Sequence, residues 1–473
     1  MVKTDIKPYS HLSSRGSPGA TLAVVAGATM LALIVFTLPL TTVAATAIEL
    51  KTGPGGQAWI LSGMPLGAAA GLLGAGALGD NHGRKRVFLI GLLLLVCASI
   101  LGAVAPSTFV LITARVLQGI ASSALLACGL GLIGQVYPSG RERARAAGIW
   151  AAGLGTGVAI GPIIAAGLLP LGGWQASHWF IAALSAPLAL AGLKYLPETE
   201  IRERARVDYE GSLVLMIGLA ALLAAMTEAR LGFRPHVFWL FAVGILFLGL
   251  FVWIEIRSNN PILQLSLFRR VDFVGATMGA FASGAGVLAI MTLVPTVLER
   301  SLGVSPLLAA IVLIAWSGMT AVTALAAQHL HNGLTPRTLL LVSMVGCGIG
   351  QLLLLLMQPT GGVFMALPGL LLAGVSNGFL NAALGHQAVQ SVPHHRTAMG
   401  SAANNTARYL GSAIGITIAA VLIAHGAETH GMTGLFSGWH QALFVSVAFT
   451  ALGTITVFFA RERTANKPEL QTT

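Results

Sequence analysis

Gly76-Ala77-Leu78-Gly79-Asp80-Asn81-His82-Gly83-Arg84-Lys85-Arg86 is a charged turn set between two long apolar runs. No Asp, Glu, Lys or Arg occurs between Pro54 and Gly79, and none between Val87 and Ala114. A single aspartate followed by three cations therefore sits at the edge of a hydrocarbon-length segment. Arg84, Lys85 and Arg86 can neutralise Asp80 locally, and Gly83 permits a tight reversal of the backbone.

Working outward from this turn, the rest of the chain is equally poor in charge. Of its 473 residues 55% are apolar and 9% charged, and the mean hydropathy is +0.81. A soluble domain carries about a quarter charged residues. The apolar runs are continuous over twenty or more residues, which fits membrane-crossing helices, whereas barrel strands alternate over about ten. The expectation is an all-α polytopic membrane protein whose partner surface is the lipid bilayer.

A net charge of +11 would suggest nucleic acid in a soluble chain, but the positions of the cations give it another meaning. With the N-terminus in the cytoplasm, only Lys51, Arg230, Arg234 and Arg300 of the 27 Lys and Arg fall on the outer side. Arg115 and Arg408 lie within spans, and the remainder fall in cytoplasmic loops and tails. This is the positive-inside asymmetry, and no nucleic-acid partner is needed to explain it. Cys97, Cys128 and Cys347 all lie in apolar spans, so no disulfide framework is indicated. The run from Thr21 to Ile48 is longer than the core of a cleaved signal peptide and reads as a retained helix.

Fourteen spans follow, at about 21–46, 57–78, 87–105, 108–136, 146–169, 178–196, 211–229, 236–256, 273–298, 306–328, 338–357, 361–390, 397–424 and 439–460. The charged segments Lys194–Tyr209 and Arg257–Asp272 divide them six, two and six. The expected organisation is a cytoplasmic tail 1–20, a six-helix bundle 21–196 and a linker with two additional helices 197–272. A second six-helix bundle 273–460 and a cytoplasmic tail 461–473 complete it. Gly374, Gln390, Pro393 and Arg396 recur at the mutual spacing of Gly119, Gln135, Pro138 and Arg141, consistent with an internal repeat.

Gly76, Leu78, Asp80, Gly83, Arg84 and Lys85 resemble the signature loop between helices 2 and 3 of the major facilitator superfamily, with Asn81 in place of the usual first arginine. In the fifth span, Gly148, Gly157, Gly161 and Pro162 resemble the glycine-proline motif of that family's antiporters, although Ala165 and Ala166 replace its last glycine pair. The extra helix pair and the run Pro261–Arg269 resemble the fourteen-helix drug:proton antiporter group. The resemblance implies two six-helix bundles that rock about a midplane site. It further implies export of small amphipathic compounds by a monomer in an inner or plasma membrane, with both termini cytoplasmic. The proton gradient would be the energy source, with no cofactor. No bond is broken, so no enzyme is expected. The alternatives are an importer or an uncoupled facilitator. A rival of another class is a membrane sensor or assembly protein, which the short tails disfavour.

Arg115 and Arg408 are the residues of greatest interest. An unpaired cation inside a bilayer costs at least ~2.5–3.5 kcal/mol on insertion scales. Arg115, with Gln118 and Gly119, resembles the family's helix-4 motif linked to proton transfer. The reading is that it faces a wet cavity; the alternative is an arginine reaching the outer headgroups. Asn404 and Arg408 share a helical face, as do Asn377 and Asn381. These are expected to line the cavity opposite Arg115, with interhelical hydrogen bonds as the alternative for the asparagines. Gly157 and Gly161 allow close helix approach, and Pro162 bends the helix into a hinge. The signature loop is expected to latch the inner ends of the two halves through Asp80, Arg84 and Lys85.

Two patterns are set aside. Gly129-Leu130-Gly131-Leu132-Ile133-Gly134 has dinucleotide-site spacing but lies within a span, with no preceding strand. The histidines show no metal spacing. One departure matters more. Where the antiporter group carries Asp and Asn in its first helix, this chain has Pro39 and Ala44, and no Asp or Glu lies deep in any span. Arg115, Glu228 and Glu299 therefore stand as the proton-coupling candidates. Two arginines without a deep carboxylate suit neutral or anionic amphiphiles better than cations.

Overall fold

The computed structural model describes residues 17–137, 140–198, 208–229, 234–258, 261, 263–327, 335–358, 361–392 and 397–460. These residues are overwhelmingly helical and contain no strand. The helices are α1 (Pro18–Thr37), α2 (Pro39–Glu49), α3 (Pro54–His82), α4 (Arg84–Ala103), α5 (Thr108–Val136), α6 (Gly140–Gly172) and α7 (Gln175–Tyr195). There follow α8 (Tyr209–Ala229), α9 (Pro235–Arg257), α10 (Val271–Ala282), α11 (Ala289–Leu302), α12 (Pro306–Ala326), α13 (Pro336–Leu353), α14 (Leu367–Gln390) and α15 (Thr397–Phe459).

Among the described residues, thirteen helical stretches are long and apolar enough to cross a membrane. The fourteenth expected span corresponds to α8, whose described apolar stretch, Glu210–Met226, stops short of that length. The whole helix has 21 residues, or about 31 Å at 1.5 Å per residue.

Three boundaries differ from the expected ones, each for a local reason. The first span is not one helix: it is interrupted at Leu38, because Pro39 supplies no backbone N–H. The ninth is joined through a π-helical segment, Ser283–Leu288. The last two spans share one run of helical hydrogen bonding, Thr397–Phe459, inside which the chain doubles back. A side chain at Gly438 would meet the Leu422 carbonyl and Ile423, and one at Gly426 would meet Gly434. These glycines let the two limbs touch through their backbones, so the expected loop over 425–438 is replaced by helix reaching the turn.

Two separate apolar cores mark the two halves. One is built from residues between Val24 and Leu196, with Tyr409 added; the other lies between Ala280 and Val457. A third cluster seats the α8–α9 hairpin across the seam, joining Leu73 of α3, Leu215 and Leu219 of α8, and Ala402 and Ala403 of α15. Gly83 has φ 95°, a conformation that side chains disfavour, and so allows α3 to pass directly into α4. The side bearing this turn is called the inner side below.

Contact between helices depends on bare backbone at a few points. A Cβ at Gly157 would strike the Met30 carbonyl, and one at Gly161 would strike Thr37 Oγ1 and come within 3.1 Å of Ile34 Cα. The Pro162 carbonyl accepts from Thr41 Oγ1 at 3.2 Å. α6 is therefore fastened along α1 and α2. Gly161→Leu should overpack this seam at a cost of about 1–3 kcal/mol. The thermal midpoint of the purified protein in detergent should fall, and transport should stop while ligand is still bound; an unchanged midpoint with normal transport would exclude the close approach.

Candidate functional site: a cavity between the halves

The two halves enclose a cavity of about 600 Å³. On one side it is lined by Phe36 of α1 and by Gly148, Trp150 and Val158 of α6. On the other it is lined by Trp316 and Thr320 of α12, Asn377 and Asn381 of α14, and Asn404, Arg408 and Tyr409 of α15. Ala147, Ala327, Leu339, His386 and Ser401 carry the lining toward the inner ends of their helices. At the outer ends the halves meet: α2 packs against α11 and α12, and Arg300 Nη2 donates to Gln57 Oε1 at 3.3 Å. The cavity thus reaches the inner ends of its helices, while the outer ends of the halves are in contact.

Arg408 is held in the wall by neutral groups. Its Nη1 donates to Asn381 Oδ1 at 3.0 Å and its Nη2 to Asn405 Oδ1 at 3.2 Å. The Tyr409 ring lies 5.7 Å from the guanidinium carbon. Asn377 Nδ2 donates to Thr320 Oγ1, and Asn404 Nδ2 to the Ala276 carbonyl. All four residues expected on this side of the cavity line it, and the asparagines also make the interhelical bonds that were the alternative reading.

Arg115 and Gln118 are elsewhere. Arg115 is 1% exposed, and neither residue belongs to the cavity lining. The Arg115 Nη1 donates to the Val35 carbonyl at 2.7 Å and to Gln118 Oε1 at 2.8 Å, and its Nε donates to the Ile60 carbonyl at 3.3 Å. Gln118 Nε2 reaches Ser99 Oγ at 3.0 Å and His178 Nδ1 at 3.3 Å. The Val35 carbonyl is available because its partner in an unbroken helix would be the N–H of residue 39, which is proline. The expected cavity-facing guanidinium is thus a buried knot tying α1, α3 and α5. A route to the headgroups is excluded by the same burial.

The remaining candidates sit away from the cavity. Glu228 Oε1 accepts from Trp59 Nε1 at 2.7 Å, and its Oε2 lies 3.5 Å from His236 Nε2, tying the outer end of α8 to α3 and α9. Glu299 lies at the outer end of α11 with one carboxylate oxygen buried and without a hydrogen-bond partner. In the signature loop, Lys85 Nζ pairs with Glu198, just beyond the end of α7, at 2.7 Å, and Arg84 packs against Gly131 of α5. A Cβ at Gly76 would lie 3.8 Å from Ala402 Cβ of the other half. The Asp80 side chain lies outside the described residues. Gly148 lines the cavity; Gly157, Gly161 and Pro162 make the α6 seam already described.

Sequence reasoning missed Trp150, Trp316 and Tyr409 in the wall and Ser99 and His178 in the knot. Trp150 stands two residues after Gly148 and Tyr409 directly follows Arg408, so proximity to a motif was the available signal. Nothing in the sequence links Ser99 or His178 to Gln118.

A sequence profile of the Major Facilitator Superfamily matches residues 22–416. The multidrug efflux pump LfrA of Mycolicibacterium smegmatis is 30% identical over 385 residues, spanning 81% of this chain and 75% of LfrA. The multidrug resistance protein Stp of Mycobacterium tuberculosis is 29% identical over 377 residues, spanning 79% of this chain and 70% of Stp. Among solved structures, the nucleoside transporter NupG superposes with a TM-score of 0.65 over 93% of this chain and all of that one, at 13% identity, a likeness of fold alone.

Arg115 and Asn377 should respond differently to truncation. Arg115→Leu strands the Val35 and Ile60 carbonyls and the Gln118 amide oxygen, at about 1–3 kcal/mol for each buried group left without a partner. Asn377→Ala removes one interhelical bond worth about 0.6 kcal/mol. Thermal unfolding in detergent should therefore show a clearly larger loss for Arg115→Leu, and equal losses would contradict the knot.

Proposed function

We propose, on the premise that this chain belongs to the Major Facilitator Superfamily, that it is a secondary active transporter exporting small amphipathic compounds by alternating access. The observation that carries this reading is the cavity between the halves, which reaches the inner ends of its helices while the outer ends are in contact. Its wall mixes aromatic faces with amides and hydroxyls, which suits compounds with an apolar body and a few polar groups. The relatives LfrA and Stp, named for multidrug efflux and multidrug resistance, support export of drugs or metabolites. Nothing in this cycle makes or breaks a covalent bond, and the protein is not an enzyme.

The inner side is read as cytoplasmic from the asymmetry of Lys and Arg, with both termini there. The protein would work as a monomer in an inner or plasma membrane, with the proton gradient as its energy source. The proton carriers would be Glu228 or Glu299 at the outer ends, or Arg115 through its knot. An uncoupled facilitator is the second reading, favoured by the lack of any Asp or Glu among the described cavity-lining residues.

Reconstitution decides between them. Proteoliposomes with an acidic compartment on the outer side should accumulate dyes there above the level of empty liposomes, and collapsing the gradient should abolish the excess. If Glu299 is the carrier, Glu299→Gln should equilibrate dye without accumulating it. Equilibration without accumulation in the unmodified protein would establish the facilitator.

A further inference from the structure

We propose that the ligand of this cavity is an organic anion with a flat aromatic body, its acidic group placed on Arg408 and its rings against Phe36, Trp150, Trp316 and Tyr409. This rests on the transporter reading above and names the substrate class of that same cavity.

The first argument is charge. Among the described lining residues Arg408 is the only Lys or Arg, and no Asp or Glu is present. The two arginines inside the spans differ in what their charge faces. Arg115 is sealed from the cavity, its Nε and Nη1 pointing at two backbone carbonyls and an amide oxygen and its Nη2 buried without a partner. Arg408 is only half-buried, its acceptors are two side-chain amides, and its Nε lacks a partner. A guanidinium in the wall of a space with low-dielectric sides attracts an anion and repels a cation. Its planar fork suits a carboxylate or sulfonate in particular.

The second argument is the shape and chemistry of the wall. Phe36 and Trp150 belong to one half, and Trp316 and Tyr409 to the other. A flat ring system can therefore touch both halves at once, as a ligand that is carried through their rocking must. Trp316 Nε1 and the Tyr409 hydroxyl are buried beneath the wall, so the aromatic side chains meet the cavity through carbon edges and leave Arg408 as the charged group that faces it.

The decisive probes are 1-anilinonaphthalene-8-sulfonate and N-phenyl-1-naphthylamine, which share one aromatic body and differ by the sulfonate, with ethidium as the cationic comparison. Binding to the purified full chain in a neutral detergent is measured by equilibrium dialysis against protein-free micelles. The sulfonate should bind at least tenfold more tightly than the neutral amine, and ethidium more weakly than either. Arg408→Gln should erase the preference for the sulfonate, and Arg408→Lys should retain it in part. If Arg408→Gln fails to fold, the order of the three probes on the unmodified protein and on Arg408→Lys decides. The proposal is overturned if the sulfonate binds no better than the amine, if ethidium binds best, or if Arg408→Gln weakens all three equally. Transport assays in proteoliposomes separate this from the efflux reading. Sulfonate that binds in this pattern but is never moved would defeat the transporter reading and leave the site; ethidium moved while the sulfonate is not would defeat the anion class and leave the transporter.

Discussion

The hydrogen bond from Arg115 to the Val35 carbonyl is the contact on which the first half depends. Pro39 breaks the helical ladder of the first span and leaves that carbonyl without its usual donor. In a bilayer no water is at hand to replace it, and an unsatisfied backbone group costs several kcal/mol. Arg115 brings a cation that by itself would be expensive to bury. Each problem is the solution to the other. The bond at 2.7 Å fixes α5 against the broken point of α1, and Gln118, Ser99 and His178 extend the network to α4 and α7. Burial takes Arg115 out of the cavity and places it in this knot.

The second constraint is close backbone approach, because apolar side chains have little reason to prefer one another over lipid. α6 meets α1 at Gly157 and Gly161; α15 meets the π-helical segment and its flanks at Gly411 and Gly415. In the second half Gly284 lies against the Arg408 carbonyl, so the residue whose side chain lines the cavity has its backbone clamped by the neighbouring span. π-helical turns are frequent at functional sites, and this one borders the cavity through Ser283 and Leu288. The wall thus combines backbone held by glycine contacts with the side chains of Trp150, Trp316 and the asparagines. The α8–α9 hairpin rests on both α3 and α15, so any rocking of the halves must slide beneath it.

Much of this was legible along the chain. Continuous apolar runs gave the helices, and the Gly76–Lys85 pattern gave the family. Asn377, Asn381, Asn404 and Arg408 were readable as one polar surface because helical spacing groups them. Boundaries were less legible. The break at Leu38 follows from Pro39 and was open to inspection, but the tight reversal between Ala427 and Thr433 was hidden by helix-compatible residues.

What the sequence by itself determined is therefore that the chain is built of membrane helices, and that charge is scarce inside them. Which way each charge faces was decided only by tertiary structure. Arg115 and Arg408 look alike in one dimension: each is the one Lys or Arg within its apolar span, with an amide side chain three or four residues away, and that spacing does not say whether its face meets a cavity or another helix. The neighbours settle it. Arg115 meets a carbonyl released by a proline 76 positions earlier in the chain, whereas Arg408 meets only the side chains of Asn381, Asn405 and Tyr409 at the edge of an open space. The physical reason is that the cost of a buried charge depends on its partners in space, and those partners come from helices that the linear order does not place side by side.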